Sequence, residues 1–332
     1  MKGGFHIILL SFLPLVSISQ ATSYWEQWSK VQIDSLQTAW GGVRNDSSKM
    51  AIARSLGFYY QEKDRDSSLY FHEKQFSLAE KLHQKLWQAD ALDQLGYVLA
   101  KMENYPRSLQ SFLDGISIAE DQGTEKGIWR ESVFTQENDP RIARLTVLGY
   151  LNNDVAVVYK ITSNMPDALS HLRSAIAIGE AIKNYGQLSM TCMALATGFW
   201  DWGQTDSSQF YAEIGLKYAD KANFQKYRGD LLATIGNIYL KKGNIGVSKK
   251  YFSEAIETAR NQNNLVEVGA TLLDMSQLFV TSGNTDSALW YNRESLKTLI
   301  ASNDPAGVRD AYLGLVTVYK ARHNLDSAFK YQ

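Results

Sequence analysis

Between Gly229 and Asn261 the apolar residues recur at spacings of three and four, the period that gathers side chains on one side of a helix. Leu232, Ile235, Gly236 and Tyr239 fall on one such face, Gly243-Asn244 interrupts it, and Tyr251, Phe252, Ala255, Ile256 and Ala259 resume it. The pattern predicts two helices joined by a tight turn, with their apolar faces closing on each other. A hairpin of this size cannot bury both faces alone, so it has to stack on further copies of itself.

Those copies are present. With Gly243 as the anchor of the turn, equivalent positions are Lys63, Glu103, Ser163, Gly203, Gly283 and His323, spaced by 40 residues except for one step of 60. Five residues after each anchor stands Ser68, Ser108, Ala168, Ser208, Ser248, Ala288 or Ala328, small in every copy. Four residues before it stands Tyr59, Leu99, Tyr159, Phe199, Tyr239, Phe279 or Tyr319, aromatic in all but one. Small residues also recur seven before the anchor (Gly96, Ala156, Ala196, Gly236, Ser276) and twelve after it (Gly115, Ala175, Gly215, Ala255, Ser295). The small positions let paired helices approach, and the aromatic is expected to plug the gap between one pair and the next.

These in-phase positions resemble the tetratricopeptide repeat over about residues 50–332. The resemblance implies an all-α fold, a right-handed α-solenoid of about seven helix hairpins with a 40-residue period. That period exceeds the usual 34 of the family. The Trp expected early in the first helix is replaced by Ile52, Leu92, Asn152, Cys192, Leu232, Leu272 and Tyr312.

Taken in order, residues 1–21 carry one Lys, an apolar run from Phe5 to Val16 and small residues at Ser19 and Ala21, the pattern of a secretory signal peptide. The run is too short to span ~30 Å of hydrocarbon and contains Pro14. Residues 22–46 read as an N-terminal capping helix, with Trp28, Val31, Leu36 and Trp40 over the first hairpin. Asn45-Asp46-Ser47 forms a turn and a glycosylation sequon. Repeats 1–2 occupy residues 47–120 and repeats 3–7 occupy 141–332. Between them, 121–140 is an insertion with an apolar island of Ile128, Trp129, Val133 and Phe134. It reads as a local cover that packs its own Trp, with a lid or partner contact as the alternative. Asp206, Asp286 and Asp326, each followed by Ser, are expected to cap incoming helices, and Pro106 and Pro166 suit first helical turns. The seventh copy stops at Gln332, early in its second helix, so continuation of the product beyond this residue is expected.

Composition narrows the function. Lys and Arg number 34 against 35 Asp and Glu, which gives no electrostatic footprint for nucleic acid or an anionic membrane. No membrane span is expected after the signal peptide. Cys192 is the only cysteine and reads as a small buried hydrophobe. The five histidines are scattered; His72-Glu73 lacks a second His, and Glu80/His83 has no duplicate to complete a carboxylate-bridged metal site. No metal, cofactor or catalytic residue is predicted, and no enzyme.

A surface remains. In tetratricopeptide arrays the first helices line a concave groove that holds a protein or peptide partner, and the resemblance carries that role to Asp93, Tyr97, Tyr150, Asn153, Lys160, Trp200, Asp201, Asn237, Gln277, Thr317 and Lys320. Asp90, Asp230 and Asp310 lie in first turns and Lys101 and Lys241 near helix ends, where the helix dipole accounts for them without a ligand. Basic residues at the positions that hold a peptide's carboxylates in some family members are lacking: Asp93, Asn153 and Met193 stand at one, Tyr97, Val157 and Thr197 at the other. Two functions fit: an exported scaffold for protein–protein interaction, or an extracytoplasmic sensory domain. The second rests on similarity of arrangement to the exported repeat domains that Bacteroidota place ahead of a membrane helix and a histidine kinase or transcriptional output. Either places the chain in the periplasm or outside the cell.

Overall fold

The computed structural model describes residues 30–61, 63–135, 137–223 and 226–331. The signal-peptide pattern of residues 1–21 and Trp28 lie outside the described residues. Among those described, the chain is helical throughout, with no strand. A lead helix α1 (Lys30–Gly42) precedes seven hairpins. These are α2 (Asp46–Tyr60) with α3 (Arg65–Lys81), α4 (Lys85–Lys101) with α5 (Tyr105–Glu120), and α6 (Pro140–Ile161) with α7 (Met165–Ala181). Then follow α8 (Tyr185–Asp201) with α9 (Thr205–Ala222), α10 (Arg228–Lys241) with α11 (Ile245–Asn261), α12 (Leu265–Thr281) with α13 (Thr285–Ala301), and α14 (Pro305–Ala321) with α15 (Leu325–Lys330). The chain forms two compact units, one up to Gln187 and one from Leu188 within α8 onward. Each unit is a stack of hairpins of the tetratricopeptide-like α-solenoid type. No helix among the described residues is long and apolar enough to cross a membrane.

The turns explain the strict spacing. At Glu103, Ser163, Gly203, Gly243, Gly283 and His323 the backbone is left-handed, with φ between 56° and 78°. The N–H of the next residue reaches back five positions, as in Asn104 to the Leu99 carbonyl (2.9 Å), Asn244 to Tyr239 (2.9 Å) and Asn324 to Tyr319 (2.9 Å). This is the Schellman closure, which satisfies orphan carbonyls at a helix end. The turns leaving the second helices are built alike: His83, Lys183, Asn263 and Asn303 are left-handed, and Gln84, Asn184, Asn264 and Asp304 reach back to Ala79, Gly179, Ala259 and Leu299. Outside the insertion after α5, helices therefore recur every 20 residues, and most close through the same left-handed turn. Helix starts are capped by the Asn just after the anchor and not by the Asp two residues later: Asn244, Asn284 and Asn324 accept from the N–H of Val247, Ser287 and Ser327. An Asn at that position is already outside the helix, where its amide oxygen can reach back over the first turn.

Within each hairpin the small positions are contacts of defined partners. A Cβ on Gly96 would stand 2.7 Å from the Phe112 ring, and on Gly236 2.5 Å from the Phe252 ring. The Ser five residues after the anchor donates its hydroxyl to the facing helix, as in Ser108 to Gly96 (2.7 Å) and Ser208 to Ala196 (2.8 Å). The recurring aromatic reaches the neighbouring pair, as expected: the Tyr319 hydroxyl accepts from Arg293 of α13 (3.2 Å), and Lys249 of α11 lies over the Phe279 ring. It also stacks across its own hairpin on an aromatic twelve residues later: Tyr159 on His171, Phe199 on Tyr211, Tyr239 on Tyr251, Phe279 on Tyr291 and Tyr319 on Tyr331, with ring centroids 5.2–5.7 Å apart. Offset stacking is a favoured geometry, and it fixes the angle at which the two helices leave the turn.

In the first unit, α1 buries Ile33 and Leu36 against α2, and Trp40 meets Phe71 edge-on. Val31, assigned to that face from the sequence, is instead 74% exposed. The insertion after α5 folds as two 3₁₀ turns, Gln122–Glu125 and Glu131–Val133, laid over Trp87. The indole Nε1–H of Trp87 donates to the Trp129 carbonyl (2.8 Å), Phe134 packs edge-on against the same indole, and Gln84 is bonded by the Trp129 N–H. Trp87 and Phe134 are both fully buried, so the segment covers core.

Candidate functional site

The proposed surface residues all lie on first helices. In the first unit Asp93 and Tyr97 are on α4, and Tyr150, Asn153 and Lys160 are on α6, which packs beside α4. Tyr97 and Lys160 are half-buried, while Asp93, Tyr150 and Asn153 are buried. In the second unit Trp200 and Asp201 close α8, Asn237 is on α10, Gln277 on α12, and Thr317 and Lys320 on α14. Helix α12 packs beside both α10 and α14. Asp201, Gln277, Thr317 and Lys320 are exposed, and Trp200 and Asn237 half-buried. The second unit thus presents its candidates to solvent, whereas the first draws three of its five into the protein.

The reason lies in a buried polar network of the first unit. Arg54 binds Asp90 through both Nε (2.8 Å) and Nη2 (3.1 Å), and Gln75 donates to the same carboxylate (2.7 Å). Asp90 therefore has a structural partner; contrary to the sequence expectation, it and Asp310 stand beyond the first turns of α4 and α14, and only Asp230 lies in one. Next to it, Gln61 donates to Gln94 (3.0 Å), and Gln94 donates to Asp93 (2.8 Å). On α6 the amide of Asn153 donates to Asp154 (3.0 Å). Burial, with Asp154 and Asp90 nearby, holds the Asp93 carboxyl well above the usual carboxylate range. Burial likewise pushes the Tyr150 phenol up, with Asp154 and Asp93 adding to it. His72 is buried beside Gln75 and its pKa is depressed to about 4, so at neutral pH it is an uncharged core residue.

In the second unit three carboxyls gather on α10 and α12. Burial raises Asp230 to about 6 against the attraction of Lys226. Burial and the neighbouring Asp230 raise Glu267 to about 8. Burial raises Asp274 to about 7, opposed by a hydrogen bond from the Asn237 amide. Glu267 and Asp274 escaped the sequence reading because neither stands at a carried-over groove position. An acid in the first turn of α12, mirroring Asp230 on α10, was the available signal. Lys241 lies over the Trp200 ring at 5.2 Å and donates to Thr205 (3.0 Å). Among the described residues there is no group of three or more His, Cys, Asp or Glu able to hold a metal ion. Cys192 is fully buried, as its position in α8 implied.

This arrangement can offer hydrogen-bonding and aromatic groups to an extended segment lying across adjoining helices. It holds no assembled nucleophile and base among the residues just described.

The fold has known counterparts. A Rap protein complexed with competence and sporulation factor is similar over 100% of this chain and 85% of its own, with a TM-score of 0.68 at 12% identity. Aspartyl phosphate phosphatase F from Bacillus subtilis is similar over 92% of this chain and 74% of its own, with a TM-score of 0.65 at 16% identity. NprR in complex with its cognate peptide NprX is similar over 95% of this chain and 87% of its own, with a TM-score of 0.59 at 15% identity. No curated protein matches in sequence. Residues 229–262, the most regular of the hairpins, match the tetratricopeptide repeat family.

Proposed function

We propose that this chain is an exported scaffold that holds a peptide or an extended segment of a partner protein against the first helices of its hairpins. The observation that carries the reading is the placement of Asn237, Gln277 and Thr317 on three adjoining first helices, α10, α12 and α14, with their side chains half-buried or exposed. Amides and hydroxyls in a row can bond the backbone of an extended chain, and Trp200 at the end of α8 supplies amphipathic contact area. Two structures of similar fold are complexes, one with competence and sporulation factor and one with a cognate peptide, which agrees with this use of the scaffold. The apolar leader of residues 1–21 supports export to the periplasm or cell exterior.

Capture of a partner by the full chain, compared with Trp200→Ala, Asn237→Ala and Gln277→Ala, tests the assignment. Loss of capture in these variants, with retention in the second-helix control Lys250→Ala, supports it; equal capture by all of them contradicts it. A second reading, the input domain of a membrane signalling protein, is favoured by the succession of leader, capping segment and 40-residue repeats. Sequencing the gene past codon 332 tests it: a run of about 20 apolar residues followed by an output domain supports it, and an early stop contradicts it.

A further inference from the structure

We propose that the hairpin α14–α15 opens away from α12–α13 as one block, along the seam at Asn292, while the other hairpins of the second unit stay folded. Asn292 stands on α13, nine residues after the turn at Gly283. The equivalent residues of four other hairpins are Phe112, Leu172, Ala212 and Phe252, each a buried apolar side chain. Asn292 is just as buried, at 0% exposed, yet neither its amide nitrogen nor its amide oxygen has a hydrogen-bond partner. Among the described residues it is the one buried side chain with both polar atoms left in that state.

The amide faces α14. A Cβ on Gly314, in the middle of that helix, would overlap Asn292 Nδ2 and stand 3.3 Å from Cδ2 of Leu273 on α12. The backbone of α14 is thus laid against the amide and offers it no partner. A polar group so placed has given up water without gaining a hydrogen bond, and it recovers both bonds when the seam opens. Asn292 therefore raises the closed state toward the open one. Gly314 acts in the same direction, because a glycine inside a helix has more backbone freedom to recover on unfolding than any other residue.

What holds the seam shut is separable from the rest of the second unit. Leu315, Val316 and Tyr319 of α14 cluster with Ala328 of α15, and Leu289 and Leu296 of α13 pack against them. Phe252, Leu272, Met275 and Leu278 belong to a different cluster, between α11 and α12, which opening leaves whole. Two polar ties cross the seam, Arg293 Nη2 to the Tyr319 hydroxyl (3.2 Å) and Arg322 Nη1 to Asp286 (2.7 Å). The second is replaceable by water, since the Asp286 side chain is 88% exposed. Once detached, α14 loses the packing that keeps a helix of 17 residues formed in water, so its amides exchange in the open state. Gln277 stays with α12 while Thr317 leaves with α14, so the surface between them widens. That consequence rests on the peptide-binding reading above, and the opening itself does not.

Hydrogen exchange of the full chain, followed by mass spectrometry of its peptic fragments in water and in low urea, tests the opening. In wild type the amides of α14 are expected to exchange faster than those of α10, and through an opening with a smaller urea dependence, as a local event exposes less surface than global unfolding. Asn292→Leu, close in size and without the amide, is expected to slow α14 roughly tenfold and leave α10 unchanged. If that variant melts early, the urea dependence of the wild-type chain decides alone. Exchange of α14 and α10 at one rate with one urea dependence overturns the proposal. So does α14 exchange that is unchanged or faster in a normally melting Asn292→Leu, the result for an amide satisfied in the closed state. Neither outcome touches the peptide-binding reading.

Discussion

The ring of Phe252 occupies the space in which Gly236 would carry a side chain: a Cβ there would stand 2.5 Å from Cε1 and 2.6 Å from Cδ1. Phe252 is fully buried, so it has no free space into which to retreat. Gly236→Ala is expected to destabilise the chain by about 1–3 kcal/mol, the usual range for overpacking. Phe252→Leu in the same chain should recover part of that loss, since Ala156 and Leu172 occupy the equivalent positions of the third hairpin. Urea unfolding of the two single variants and the pair, read as a double-mutant cycle, checks the coupling.

The left-handed turns make an opposite prediction for non-glycine residues. Glu103 and Ser163 hold φ values of 59° and 61°, where an L side chain costs about 1–2 kcal/mol. Glu103→Gly should therefore raise stability, by about 0.5–1 kcal/mol after the entropy of the unfolded glycine is counted. Gly243→Ala, at φ 76°, should lower it. Thermal melts of the two variants are expected to move in opposite directions.

Arg54 and Asp90 form an ion pair whose side chains are 4% and 1% exposed. Asp90→Ala leaves a buried guanidinium and a buried Gln75 amide without their acceptor, and should cost about 3–5 kcal/mol. Arg54→Met with Asp90→Asn keeps an acceptor for Gln75 and removes the stranded charge, so it should lose less than Asp90→Ala alone. Chemical denaturation of both variants distinguishes this from a mere loss of side-chain volume.

The acids on α10 and α12 give stability a pH dependence of known sign. Glu267 titrates at about 8 in the folded chain against an ordinary 4.5. Between those values the unfolded chain releases a proton that the folded chain retains, so stability falls as pH rises through the window and levels off above it. Asp274, at about 7, acts in the same direction. His72, with its pKa lowered to about 4, opposes them only below pH 6.5, where the unfolded imidazole takes up a proton. Melting should therefore drop from pH 6.5 to pH 8 in the wild-type chain. Glu267→Gln should flatten that drop, melting roughly 2–4 °C higher than wild type at pH 8.

The repeats were readable because packing repeats. Gly236, Tyr239, Gly243 and Ser248 recur in phase since each is a contact or a turn that every hairpin needs. What stayed hidden was pairwise. That Tyr239 also stacks on Tyr251 inside its own hairpin depends on the angle at which two helices leave a turn, which no single position encodes. The caps were misassigned to Asp286 and Asp326 because Asp is as good a cap as Asn, and only the helix start decides between residues two apart. At the candidate site, Asn237, Gln277 and Thr317 came only from the resemblance to tetratricopeptide arrays; they lie on the adjoining helices α10, α12 and α14. Glu267 and Asp274 were not legible, since an acid on a helix is ordinary until its burial and its neighbour on the next helix are known.

Photocrosslinking from single positions tests the binding face most directly. A benzophenone amino acid is placed at Gln277, exposed on the first helix α12, or at Lys250, exposed on the second helix α11, in otherwise identical full chains. Each is irradiated with a labelled peptide selected on the wild-type protein. Adducts from position 277 and none from position 250 are the predicted result; adducts from position 250 with none from 277 would contradict the account.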